Sequence, residues 1–204
     1  MDLCYFVSDL HGHLDRYEKL FQEIRKEKPD IVFLGGDLLP SGLILNKSID
    51  IKHKDFINDY LVRKFLQLKE ALKDEYPELF LILGNDDPRF EEISMMEAGN
   101  HGIWTYIHNR RIKYKNFDIY GYAFVPPTPF LLKDWEKFDV SRFVDVGCVS
   151  PVEGYRTFPV SDYEKEYSTI QKDLEQLAGD DDLSSSIFLF HSPPYRTNLD
   201  RAAL

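Results

Sequence analysis

Six side chains in this sequence share two properties: each is an oxygen or imidazole donor, and each stands just after a short apolar run. Asp9 and His11 follow residues 3–8, Asp37 follows residues 31–36, Asn85 and Asp86 follow residues 79–84, and His191 follows residues 186–190. Carboxylates, a carboxamide oxygen and neutral imidazoles are ligands that a pair of divalent cations such as Mn, Fe or Zn accepts. A thiolate site would need more cysteines than Cys4 and Cys148. Several carboxylates gathered in a low-dielectric cleft would repel one another and shift toward protonation unless positive charge sat among them. Gly12, Gly35, Gly36 and Gly84 lie beside these donors, where the backbone must turn tightly or approach closely.

Each donor also has an ordinary structural reading. Asp9 with His11 alone is a capped turn, and only the company of Asp37, Asn85 and His191 makes it a metal site. His13 reads as a helix-start residue, His53, His101 and His108 as solvent-exposed imidazoles, and Asp87 as a helix N-cap with Pro88 at the first helical position. Ser192 beside His191 invites a nucleophile reading but lacks a separate base and orienting acid. Arg196 reads as a surface arginine that could reach a phosphate.

The elements that must position these residues alternate in type. Apolar runs at residues 3–8, 31–36, 79–84 and 186–190 are strands, and the segments between the first three have helical period. Leu14, Tyr17, Leu20, Phe21 and Ile24 form one stripe; Ile57, Tyr60, Leu61, Phe65, Leu68 and Leu72 form another, after a polar loop with Pro40 and Gly42. A third helix opens at Asp87 and runs through Phe90 and Ile93 toward Gly99. Residues 104–107, 111–115 and 117–122 read as shorter strands in an antiparallel portion of sheet. Residues 125–159 are loop-rich but aromatic. One further helix, boxed by Ser161 and Glu164, carries Tyr163, Tyr167, Ile170, Leu174 and Leu177 to Gly179, and Asp180 to Asp182 form a solvated turn. This βα alternation predicts a largely parallel sheet, at whose carboxyl edge ligands gather.

Composition bounds the rest. A chain of 204 residues, 43% hydrophobic and 29% charged, supports one domain, residues 1–204, with a substantial core. A formal charge of −10 disfavours nucleic acid and anionic membranes as partners, leaving Arg110, Arg111, Lys113 and Lys115 as the only dense basic segment, which a strand edge explains equally well. No run approaches the roughly 18 apolar residues of a membrane span. The cysteine usage and the absence of a leader at the N-terminus point to a cytoplasmic protein. Oligomeric state stays open.

Taken in order, Asp9-Leu-His11-Gly-His13, Gly35-Gly-Asp37, Gly84-Asn85-Asp86 and His191 resemble the signature of calcineurin-like metallophosphoesterases, over nearly the whole chain. The resemblance implies a four-layer α/β/β/α sandwich, mixed sheets inside and helices outside. It implies Asp9 and His11 on one metal, Asp37 bridging two, Asn85 and His191 on the second, and a bridging hydroxide that attacks a phosphomonoester or phosphodiester. Asp86 stands where the family commonly has histidine, so Asn85 and Asp86 are the candidate catalytic residues and leaving-group protonation is altered. The family's closing Gly-His-x-His block does not occur before Leu204, so the chain is expected to be a fragment of a longer protein. The alternative is a non-catalytic binding or scaffold protein on the same fold.

Overall fold

The structure, a computed structural model, describes residues 2–40 and 55–200. Gly42 and His53 lie outside the described residues. Four strands form a parallel sheet in the order β1 (Cys4–Val7), β2 (Ile31–Gly35), β3 (Glu78–Ile82), β4 (Thr105–Tyr106). Its central strand β2 is buried along its whole length, as the unbroken run Ile-Val-Phe-Leu-Gly demands. A second sheet orders β5 (Arg110–Tyr114), β6 (Phe117–Tyr122) and β7 (Ser186–Phe190), with β5 and β6 an antiparallel hairpin and β7 parallel to β6. Strands β2 and β3 lie against β6 and β7, and Phe80 meets Tyr114 edge-on across the interface, ring centroids 5.9 Å apart. The antiparallel expectation for the middle of the chain therefore holds for β5 and β6, whereas β4 continues the parallel sheet.

Helix α1 (Leu14–Glu27) buries Tyr17, Leu20, Phe21 and Ile24 and stops where Lys28 adopts a left-handed conformation. A π-helical turn over Ile57–Val62 runs into α2 (Arg63–Leu72), and all six apolar residues of the predicted stripe are buried. The two helices meet through Phe21 and Phe65, 5.0 Å between ring centroids. Helix α3 (Glu92–Gly99) begins five residues later than Asp87, after a 3₁₀ turn over Arg89–Glu91, and leaves Phe90 and Ile93 exposed.

The single helix expected after residue 160 is two: α4 (Asp162–Tyr167) and α5 (Ile170–Ala178). Ser161 Oγ does accept from Glu164 N–H at 3.1 Å, but Thr169 starts a second cap, accepting from Lys172 N–H at 3.3 Å. Hydroxyl side chains compete with the helix for backbone partners, and here Ile170 N–H bonds Phe138 carbonyl instead of continuing α4. Tyr163 and Tyr167 consequently face solvent. Outside the second sheet, α5 is tied down by Tyr122, whose hydroxyl donates to Asp173 at 2.6 Å. Nor is the acidic turn after α5 merely solvated: Asp181 accepts from Arg111 at 2.8 Å and from Tyr120 at 2.7 Å.

The loop-rich segment packs through Trp135 and Phe138, both buried, while Phe130, Phe143 and Tyr155 are exposed. His108, expected in solvent, instead lies among Tyr122, Phe124 and Trp135, whose rings are 5.0 to 5.7 Å away. Its Nδ1 accepts from Ala123 N–H at 3.0 Å. Burial first, then the charges of Arg89 and Lys137, push the imidazole down to about 3, so it is neutral. Among the described residues no helix is long and apolar enough to cross a membrane.

Candidate metal centre

The loops after β1 and β2 run side by side and are stitched by their backbones, and the loop after β3 joins them through the Asp37 and Asp87 side chains. Asp9 N–H donates to Gly36 carbonyl at 3.1 Å, His11 N–H to Asp37 carbonyl at 2.8 Å, and Gly12 N–H to Leu38 carbonyl at 2.9 Å. Asp9, His11 and Asp37 all have positive φ, between 48° and 59°. Aspartate and histidine tolerate this left-handed region better than most residues, so the types required as ligands also suit the backbone that presents them. One atom from each of Asp9, His11 and Asp37 can be chosen so that all lie within 4.8 Å of one another.

His191 arrives from the other sheet. Its Nδ1 is 2.7 Å from Gly35 carbonyl, its Nε2 3.1 Å from Asn85 Oδ1 and 3.4 Å from Asp37 Oδ1. The close approach depends on glycine: a Cβ on Gly36 would stand 2.6 Å from His191 Nδ1, at a φ of +97° that side chains rarely adopt. Five predicted ligands thus converge, Asp9, His11 and Asp37 on one side, Asn85 and His191 on the other. Asp37 touches both groups, with Oδ2 3.8 Å from His11 Nε2 and Oδ1 facing His191.

The electrostatics describe a site built for cations. Burial alone would raise Asp37, but the hydrogen bond and charge of His191, the Asp86 N–H at 2.9 Å and His11 outweigh it and hold the carboxyl below its usual range. His191 moves the opposite way: burial opposes its charge, yet Asp37 and the Gly35 carbonyl raise it to about 9. A divalent cation held beside Asp37 and His191 would compete with the proton on His191. His11 Nε2 lies 3.8 Å from both Asp9 and Asp37, too far for hydrogen bonds and compatible with ligands of a common ion at roughly 2.0–2.2 Å. Its Nδ1 is buried and makes no hydrogen bond, although Asp86 Oδ2 approaches to 3.3 Å. The donor set of Asp9, His11 and Asp37 fits divalent metal ions.

Other residues of the site were less visible in sequence. Asp87 is no N-cap: fully buried, its carboxylate accepts from Leu38, Leu39 and Gly84 N–H. Burial first, then Asp37, raise it to about 7 against the pull of those three donors. Ser8 donates to the Asp9 carboxylate and Arg16 to the Asp9 carbonyl, bonds that no spacing announces. His13 occupies the N-cap position of α1, as expected, and Arg196 stacks over Tyr195 at 5.1 Å.

With this geometry in view, the comparisons with known proteins are direct. The family model of the calcineurin-like phosphoesterases matches residues 4–203. No curated protein matches the chain. Among solved structures, the crystal structure of TT1561 of Thermus thermophilus is 16% identical, with a TM-score of 0.49, over 98% of this chain and 71% of that one. A second crystal structure is 15% identical, with a TM-score of 0.41, over 62% of this chain and 55% of that one, so the match spans about half the second protein's length.

Proposed function

We propose that this chain, which belongs to the calcineurin-like phosphoesterase family, is a metal-dependent hydrolase of a small phosphomonoester or phosphodiester. The family generally hydrolyses phosphoesters and uses divalent metal ions. One observation carries the reading for this chain: the two carboxylate oxygens of Asp37 face separate donor groups, one containing Asp9 and His11, the other Asn85 and His191. In this arrangement Asp9 and His11 would hold one cation and Asn85 and His191 a second, with Asp37 placed to serve both. Two such ions, whether Mn, Fe or Zn, would lower the pKa of a water and neutralise charge developing on the phosphoryl oxygens.

The protein's own contribution is placement. Asn85 is held by His191, and Asp37 by the Asp86 N–H, before any ligand arrives. Asp86, the candidate acid, sits with its carboxylate beside His11 Nδ1, which suits it to orient that imidazole rather than to protonate a leaving group. Esters whose leaving groups need no proton are then the preferred substrates.

A nuclease is less well supported, because the basic segment on edge strand β5 is largely spent in ion pairs. Arg111 and Lys113 each reach Asp118 at 3.0 Å, and Lys115 reaches Asp2 at 3.0 Å. Cys4 and Cys148 are free thiols, which fits the cytoplasm we propose as its location. The test is Mn-dependent hydrolysis of a chromogenic phosphodiester and phosphomonoester, with metal content measured on the same samples. Activity that Asp37→Asn abolishes along with bound metal is the expected result. A protein that binds no metal and hydrolyses neither ester would instead be a binding protein on this fold.

A further inference from the structure

The mechanism above leaves unused a carboxylate that is completely buried between two ligand-bearing loops. Asp87 Oδ2 accepts from Gly84 N–H at 2.8 Å and from Leu38 N–H at 3.2 Å, while Oδ1 accepts from Leu39 N–H at 2.7 Å. One oxygen therefore joins the loop after β3, which carries Asn85 and Asp86, to the loop after β2, which carries Asp37. The other oxygen secures the next residue of the second loop. From the far side, Trp135 Nε1 donates to Asp87 carbonyl at 2.9 Å and fixes the clamp to the packed part of the 125–160 segment.

We propose that Asp87 is a positioning residue that sets the spacing of Asp37 against Asn85, and thereby pre-forms the side of the site at which the second cation is held. The inference rests on the metal-dependent reading given above. Its physical basis is that Leu38, Leu39 and Gly84 present three backbone N–H groups to one buried point, and groups so buried must be paired. Only an anion or a carbonyl-type acceptor can face all three, and a carboxylate does so with charge-assisted bonds. Metal ligands are held to a tolerance of about 0.2 Å, so a loop free to shift by more would lose the ion. The backbones here are in contact: a Cβ on Gly84 would stand 2.5 Å from Asp37 N.

Asparagine at this position separates the roles. Whichever way its amide is turned, an NH₂ group replaces one oxygen and faces at least one N–H donor, while size and packing are kept. The experiment compares wild type, Asp87→Asn and a destabilised control, Tyr76→Phe. The control removes the Tyr76 hydroxyl bond to Ile103 carbonyl, 2.8 Å long, near the amino end of β3 and away from the site. Mn binding is read by calorimetry and by the EPR signal of a spin-coupled Mn pair. The expected result is that Asp87→Asn folds, binds Mn at least about tenfold more weakly and loses the coupled signal, while Tyr76→Phe binds like wild type. Asp87→Asn binding Mn as wild type does, or Tyr76→Phe losing as much, overturns the proposal.

If Asp87→Asn does not fold, amide hydrogen exchange on wild-type protein without metal decides. Leu38, Leu39 and Gly84 amides as protected as the core strands support a pre-formed clamp, and exchange at open-loop rates overturns it. Wild-type protein that takes up no Mn overturns the phosphoesterase reading and this inference together. Normal wild-type binding with an unaffected Asp87→Asn overturns this inference alone.

Discussion

On the proposed reading, Asp86 beside His11 leaves the leaving group without a proton donor, and the consequence is kinetic. An enzyme without a proton donor at the leaving group depends steeply on leaving-group acidity, because the departing oxygen must carry its own charge. A series of aryl phosphodiesters of graded phenol pKa should therefore give a steep plot of log kcat/KM, and Asp86→His should flatten it, gaining most on the poorest leaving groups. Parallel slopes in the two proteins would show that a side chain at position 86 does not reach the leaving group. His108 supports a prediction about stability. Its folded pKa near 3 lies below the value of about 6.5 in the unfolded chain. The unfolded state thus takes up the proton first, and the stability gained by a neutral buried imidazole is present above about pH 6.5 and lost as pH falls toward 3. At pH 5 the loss should be about 2 kcal/mol relative to pH 8. His108→Gln, which can still accept from Ala123 N–H, should lack that component; denaturant melts at the two pH values measure the difference.

Among the elements, the strand-to-loop junctions carry the chemistry. Gly84 has an ordinary backbone conformation, yet an added Cβ would meet Asp37 N at 2.5 Å and His191 Cε1 at 2.7 Å. Gly84→Ala should cost about 1–3 kcal/mol by overpacking and should lower Mn affinity by a larger factor than its thermal shift alone explains, as judged by calorimetry. The strands, and the meeting of the five proposed ligands, could be read from sequence because both rest on local signals. Apolar runs of four to six residues define the strands, and each ligand follows one of them, so chain order alone brings Asp9, Asp37 and Asn85 to one edge. The two helix errors share a cause. The Asp87 carboxylate takes backbone N–H groups from the loop after β2, and Ile170 N–H goes to Phe138 carbonyl, partners that only the tertiary structure supplies. His108 was misread for a related reason: its polar neighbours in sequence do not reveal that Trp135, distant in the chain, closes over it. The depth of Asp87 had a weak signal in its place directly after Gly84-Asn85-Asp86, but nothing in the residue types distinguishes a clamp from a cap.

For the molecule as a whole, stability and site share a support in the 125–160 segment. Lys133 and Glu136 are fully buried and paired at 2.5 Å, with Lys133 also donating to Thr128 carbonyl at 3.0 Å and Glu136 accepting from Thr128 N–H at 2.8 Å. Removing one charge strands the other. Lys133→Met should destabilise by about 3–5 kcal/mol, and adding Glu136→Gln should recover part of that loss, a sign that chemical denaturation of the single and double variants can check. The same segment holds Asp87 through Trp135, so its packing reaches the ligand loops. The proposed centre also draws its donors from two separate sheets: Asp9, His11, Asp37 and Asn85 extend from the parallel one, and His191 from the mixed one. Ile107 N–H donates to Leu81 carbonyl and Asn109 N–H to Gly121 carbonyl, so one short stretch joins the two sheets, and elsewhere their relative slide is set by side chains such as Phe80 and Tyr114. Distance between Asp37 and His191 is thus a vernier for shear between the layers. On the proposed reading, residues far from the donors then influence the site through the packing between the layers, leaving every donor unchanged.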